Sequence, residues 1–291
     1  MEISKSNSSA CPGPATKHLN QNVLRGGLVR LLCLGAWCTM HIALFTAPPA
    51  VGQGSSDDPI RFLRWTVDDM KALGRSAVSP RSLPVAAGLG GSVLLLSQWD
   101  QELTEGAITR AMNLGSRPRR ILNEAGNVRL VRPMALIFFL GTLASGDERL
   151  QDAAFTSFEA IVVANLVTNA IKAVTGRARP SHGLGAKSFR PFSGRTSFPS
   201  GHATTVFAWT TPWLLYYGNV PSIVLFVVGA GTAFVRMADN FHWFSDVFAG
   251  AAIGFGAGYL LSRRHQGKRA GFDLWPVFRM GDAGLSLRLA L

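Results

Sequence analysis

The sequence predicts an all-α, multi-pass membrane bundle of about six helices, with its active site at one membrane face. Three observations carry this. Charged residues make up only 16% of the 291-residue chain against 47% hydrophobic ones, where soluble domains carry about a quarter charged. Mean hydropathy is positive, at +0.20. Apolar segments recur six times between residues 83 and 262, more than the shell of a soluble domain of that size accommodates. A buried soluble bundle is the competing reading.

Taken in order, residues 1–30 are polar, with Lys17, Arg25 and Arg30 before the apolar run LLCLGAWCTMHIALF, and TAPPAVGQGSS follows. A basic lead, a short apolar core and small residues afterwards form a signal-peptide pattern. The run is short for a span, which takes ~20 residues. Residues 1–52 are therefore read as a signal segment or N-terminal anchor. Trp37 before Cys38 speaks against a lipoprotein cleavage site. Residues 53–82 form a polar, amphipathic lead. Within it Ile60, Phe62, Leu63, Val67 and Leu73 fall at helical spacing, which predicts a helix lying on the membrane surface.

The six apolar segments are 83–98, 131–145, 153–175, 201–218, 220–238 and 244–262. Several are shorter than the ~20 residues of a full span, and flanking aromatics or local thinning of the bilayer can complete them. Glycine and alanine in GAGTAF and AGAAIGFGAGY suit close helix–helix contact. The main domain is placed at 83–265. The tail, 266–291, switches to alternation and turn residues, the pattern of a short hairpin.

The net charge is +12. The arginines are scattered between apolar segments and form no basic arm, so nucleic acid is not expected as a partner. Anionic lipid headgroups or a phosphorylated substrate account for the charge. The three cysteines are Cys11, Cys33 and Cys38. Their absence from the main body excludes a disulfide framework or a cysteine-ligated metal there. No run of His, Asp and Glu has zinc-site spacing, and no cofactor is expected.

Three clusters carry chemistry, each at the end of an apolar segment. In KAVTGRARP, Lys172 and Arg179 are two helical turns apart and can face one way, and Pro180 disfavours further helix. Alone this is an ordinary basic flank. In SFPSGHATT, Ser200 is a good N-cap for a helix starting at Gly201. A helix N-terminus suits phosphate, Gly201 permits close approach, and His202 in the first turn can give a proton to a departing oxygen. Alone this is a cap with a solvated histidine. In RMADNFHWFSD, His242 and Asp246 are i and i+4, neighbours on a helix face, and a carboxylate on one imidazole nitrogen makes the other a better nucleophile. Arg236 can grip phosphate oxygens with paired bonds. Alone this is an interfacial ion pair. Together the clusters supply charge neutralisation, a nucleophile and a proton donor, the requirements of phosphoryl transfer.

These stretches resemble the three signature motifs of the type-2 phosphatidic acid phosphatase family: Lys172 with Arg179 and Pro180, then Pro199 to His202, then Arg236 with His242 and Asp246. That family also includes vanadium haloperoxidases and soluble bacterial acid phosphatases. Order and spacing agree, and the hydropathy of 83–262 resembles the integral membrane branch. Val235 departs from the pattern, where many members carry serine. The resemblance implies a metal-free lipid-phosphate phosphatase. His242 would attack phosphorus and become phosphohistidine, and Asp246 would orient it. His202 would protonate the leaving group and then activate water. Lys172, Arg179, Arg236 and the backbone N–H groups of Ser200 and Gly201 would hold the phosphate.

The expected partners are the bilayer and a phosphorylated membrane lipid. Phosphatidic acid, phosphatidylglycerol phosphate, an isoprenoid diphosphate and a phosphorylated outer-membrane glycolipid all fit, and the oligomeric state stays open. Lys187, Arg190 and Arg195 can meet a headgroup or second phosphate, or form an ordinary basic loop. The basic tail RRHQGKR reads as cytoplasmic, which puts the site on the outer face of the cell membrane. A cleaved signal segment and six full crossings conflict with that orientation, so either 31–47 is no signal or 83–98 does not fully cross. A vanadate-dependent oxidoreductase and a non-catalytic lipid-binding protein are the alternatives.

Overall fold

The computed structural model describes residues 60–77, 80, 83–267, 272–279 and 282–289. The signal segment or anchor expected at 1–52 lies outside the described residues. Nine α-helices are described: α1 (Arg61–Ala77), α2 (Leu83–Leu96), α3 (Asp100–Arg110), α4 (Ser116–Ala125), α5 (Val128–Thr142), α6 (Glu148–Thr175), α7 (Gly201–Tyr217), α8 (Val220–Ala238) and α9 (Phe244–His265). The tail forms the expected hairpin. Strands β1 (Phe272–Arg279) and β2 (Asp282–Leu289) pair antiparallel from Phe272–Leu289 to Arg279–Asp282.

All six apolar segments are helical, as α2, α5, α6, α7, α8 and α9. Of these, α6, α8 and α9 are long and apolar enough to cross a membrane. The chain is a multi-pass helical membrane bundle. Its outward residues fit that reading: Ile137, Leu166, Val227 and Leu260 on four different helices are each more than half exposed, where hydrocarbon rather than water would solvate them. Helix α2 has 14 residues and is about 21 Å long, shorter than the ~30 Å hydrocarbon core.

Helix α7 is the centre, packed against α6, α8 and α9. Its threonines are buried, and each satisfies its hydroxyl one turn back. Thr204 donates to Ser200 O at 3.0 Å, Thr205 to Gly201 O at 2.8 Å and Thr210 to Val206 O at 2.9 Å. Thr204 also meets Thr168 of α6 at 2.9 Å, and Thr205 receives a bond from Asn165 at 3.1 Å. These bonds tie α6 to α7 where no water competes. The tightest contact is between α7 and α9. A Cβ on Gly250 would run into the Ser200 carbonyl, one on Gly254 into the Thr204 carbonyl, and one on Gly258 would sit 2.8 Å from Thr211 Cβ. The four-residue glycine spacing lets the two backbones touch.

The stretch 99–130, between the first two apolar segments, is largely helical, as α3 and α4. Helix α4 is too short and too charged to register as apolar. It docks on α8, where Leu122 lies against Gly231 and its carbonyl accepts from Thr232 Oγ1 at 2.8 Å. Helix α1 also departs from expectation, because its five apolar positions do not face one way. Phe62 packs on Phe155 and Phe139, with centroids at 4.8 and 4.9 Å, while Ile60, Leu63 and Val67 are exposed. One side of α1 is docked on the bundle, and the other exposes Leu63, Val67 and Met70 beside Arg64, Asp68 and Lys71.

Candidate active site

The site lies at one end of the bundle, where α6 and α8 end and α7 and α9 begin. Helix α6 stops at Gly176, whose φ of 55° is left-handed. A side chain there would also strike the Arg190 carbonyl, so only glycine serves the turn. Lys172, in the last turn of α6, reaches across to α7. Its Nζ donates to Thr196 O at 2.7 Å and to Pro199 O.

Ser200 caps α7 as expected, its Oγ accepting from Ala203 N at 3.5 Å. Its own N–H, expected to hold phosphate, is instead bonded to Asp246 O at 2.8 Å. The close approach of α9 to this corner takes that donor. The N–H groups of Gly201 and His202, in the first turn, have no partner within the helix. His202 lies within electrostatic reach of Arg236, His242, Lys172 and Arg179.

Arg236 and Arg179 flank one aromatic ring. Their guanidinium carbons lie 4.1 and 5.8 Å from the Phe241 centroid. Arg236 Nη1 donates to Asn123 Oδ1 at 2.9 Å, and Asn123 Nδ2 donates to Asp239 Oδ2 at 2.7 Å, which fixes the amide. Arg179 Nη2 donates to Thr196 Oγ1 at 3.3 Å. Among the described residues neither Lys172, Arg179 nor Arg236 is salt-bridged to a carboxylate. Three cations held by neutral groups leave their charge for an anion.

His242 differs from its expected pairing. It precedes α9, so the four-residue spacing to Asp246 is not a helix face. Its Nδ1 lies 2.8 Å from Ser197 O, while Asp246 Oδ2 stands off at 3.8 Å. A carbonyl can only accept, so Nδ1 carries the proton and Nε2 keeps the lone pair. Burial pushes the His242 imidazole down to about 4, Lys172 and Arg236 push the same way, and Asp246 opposes them. The ring is neutral near pH 7, as a nucleophile must be.

Asp246 organises the corner. Its Oδ2 accepts from Ser197 Oγ at 2.5 Å and from Trp243 N at 2.9 Å, capping α9, and its Oδ1 accepts from Arg177 at 2.6 Å. It therefore positions His242 through Ser197, whose hydroxyl it holds and whose carbonyl holds the imidazole. Arg177 went unnoticed in the sequence because it sits inside KAVTGRARP like any flanking base. It is 1% exposed, bonds Asp246 and Asp100, and donates to Ser245 Oγ at 2.8 Å. Asp100, at the start of α3, also accepts from Ser245 N at 2.7 Å. Lys187 and Arg190 are exposed on the connecting loop, and Arg195 donates to Ser188 Oγ at 3.1 Å. Among the described residues, no side-chain hydrogen bond or ion pair joins these three to the cluster around His242.

Residues 153–270 match the PAP2 superfamily model. The lipid A 1-phosphatase of Rhizobium etli is 37% identical over 102 residues, which cover 33% of this chain and 44% of that protein. The lipid A 1-phosphatase of Porphyromonas gingivalis is 38% identical over 97 residues, covering 32% of this chain and 20% of that protein. The matched stretch thus spans less than half the length of these curated relatives. Among solved structures, a transmembrane PAP2-type phosphatidylglycerolphosphate phosphatase from Bacillus subtilis aligns with a TM-score of 0.48 at 17% identity, covering 63% of this chain and 96% of that one. The segment that carries Lys172, Arg179, His202, Arg236, His242 and Asp246 is the segment that matches the PAP2 superfamily.

Proposed function

We propose that this chain is a membrane phosphatase that hydrolyses a lipid phosphate monoester through a phosphohistidine on His242. The observation that carries the reading is the neutral His242 with Nε2 free, beside three cations without carboxylate partners. In the first step Nε2 attacks phosphorus, an N–P bond forms and the ester P–O bond breaks. His202 gives its proton to the leaving oxygen. In the second step His202 takes a proton from water, whose oxygen attacks phosphorus, and the N–P bond breaks to release phosphate. Lys172, Arg179, Arg236 and the first-turn N–H groups of α7 neutralise the charge that builds on the phosphoryl oxygens. General acid help of the kind assigned to His202 is worth ~10²–10⁴ in rate.

The names of the relatives put a phosphorylated glycolipid of the lipid A class first among substrates, ahead of phosphatidic acid, phosphatidylglycerol phosphate and an isoprenoid diphosphate. The basic residues Arg263 and Arg264 end α9 opposite the site, which supports a cytoplasmic tail and a site facing outward from the cell membrane. The test is phosphate release over that lipid panel, from detergent-solubilised protein and from intact spheroplasts given substrate outside. Wild type is expected to act on at least one lipid in both settings, and His242→Ala on none. Full activity in His242→Ala sinks the scheme. Activity in detergent but not on spheroplasts sinks the orientation alone.

A further inference from the structure

A second cluster of ionisable groups lies far from His242. Asp69 of α1, Glu159 of α6 and His265 at the end of α9 meet there, with one donor atom from each within 4.8 Å of the others. His265 and Asp246 are 19 residues apart on α9, which places the clusters about 28 Å apart along that helix. Asp69 is 4% exposed, Glu159 5%, and the His265 side chain 2%.

The hydrogen count in this cluster is informative. Thr156 has one hydroxyl hydrogen, and it goes to the Asp152 carbonyl at 2.6 Å. Thr156 Oγ1 therefore accepts from His265 Nδ1, which lies 2.8 Å away. That leaves Nε2 facing both carboxylates, 2.8 Å from Asp69 Oδ2 and 3.6 Å from Glu159 Oε2. A bare lone pair cannot face a carboxylate oxygen at that distance without a proton or a cation between them. Arg264 answers Asp69 at Oδ1, from a position 45% exposed. Neither oxygen of the buried Glu159 has a hydrogen-bond partner among the described residues. A carboxylate so fully buried and without a hydrogen-bond partner is costly unless a cation meets it or it takes up a proton of its own.

We infer that Asp69, Glu159 and His265 form a binding site for a divalent first-row transition-metal ion of the zinc class. One nitrogen and two carboxylate donors suit zinc rather than calcium or magnesium, which prefer oxygen alone. A ligating histidine typically gives its other N–H to a fixed acceptor, the part Thr156 takes here. The Trp65 indole covers the imidazole, stacked at 4.0 Å and 9°. The ion would pin α1 to α6 and α9. It lies too far from His242 to take part in the chemistry there. The donors come from three separate helices, which is why no sequence spacing announced them.

The test uses the full-length chain without a polyhistidine tag, stripped with a chelator and titrated with zinc chloride in detergent. Equilibrium dialysis is expected to find one zinc equivalent per chain that Glu159→Gln and His265→Gln both lose. Thermal unfolding of wild type is expected to rise by several degrees at a hundredfold excess over Kd, with no such rise in either variant. Circular dichroism of the variants checks that they fold. Zinc held by Cys11, Cys33 or Cys38 would persist in both variants. If the variants bind as much zinc as wild type and gain as much stability, the site is wrong. If folded wild type binds none, a proton supplies the positive charge and the inference is overturned.

Discussion

Which nitrogen of His242 keeps its lone pair is decided by a backbone oxygen, not by a side chain. The carbonyl of Ser197 takes the Nδ1 proton, so the aspartate needs only to hold Ser197 in place. The sequence could not announce this, because a carbonyl belongs to every residue. The side chains of Lys172, Arg179, His202, Arg236 and His242, which the fold brings to one end of the bundle, were legible because residue types and spacings survive in the sequence without knowledge of neighbours. Arg177 was not, since burial alone separates it from a surface base. Two outcomes follow at this scale. His242 is pushed down to about 4, so it stays neutral as pH falls through the ordinary imidazole range near 6.5 and gains its proton only near 4. The acid limb that His242 contributes to kcat/KM, corrected for ionisation of the substrate, is therefore expected near pH 4, and a limb near 6.5 contradicts it. Arg177→Met strips both Asp100 and Asp246 of their buried cation. Removing one partner of such a pair costs ~3–5 kcal/mol, so denaturant unfolding should show a loss of that order. Adding Asp100→Asn should recover part of it.

At the scale of elements, hydropathy located every one of the six apolar helices, because bilayer-facing and core-facing residues are both apolar and the pattern survives without knowledge of neighbours. It missed α3 and α4, whose helicity depends on docking against α8 rather than on their own apolar content. It also misread α1, because a period cannot tell a face docked on protein from a face in lipid. The glycines of α9 were read correctly as a contact stripe, and their consequences differ by position. A Cβ on Gly254 would press into the Thr204 carbonyl and lie 2.8 Å from Ala208 N, whereas Gly256 has open space. Overpacking of a tight contact costs about 1–3 kcal/mol or more. Gly254→Ala should therefore lower thermal stability and Gly256→Ala should leave it unchanged. Equal effects in the two variants would mean that α7 and α9 do not meet along this stripe.

Over the whole molecule, ionisable side chains gather at the two ends of the bundle. One end gathers Lys172, Arg179, Arg236, His202 and His242 where two helices stop and two start, so two helix N-termini and three cations converge on one spot. The other end ties α1 to the bundle through Asp69 and His265. The proposed phosphatase depends on covalent chemistry at one atom, Nε2 of His242, and rapid quenching of the solubilised protein with a ³²P-labelled lipid phosphate tests it directly. An acid-labile, alkali-stable label on His242, located by mass spectrometry and absent from His242→Ala, is the predicted result. Turnover of the same lipid with no label on His242, or undiminished turnover by His242→Ala, would contradict it.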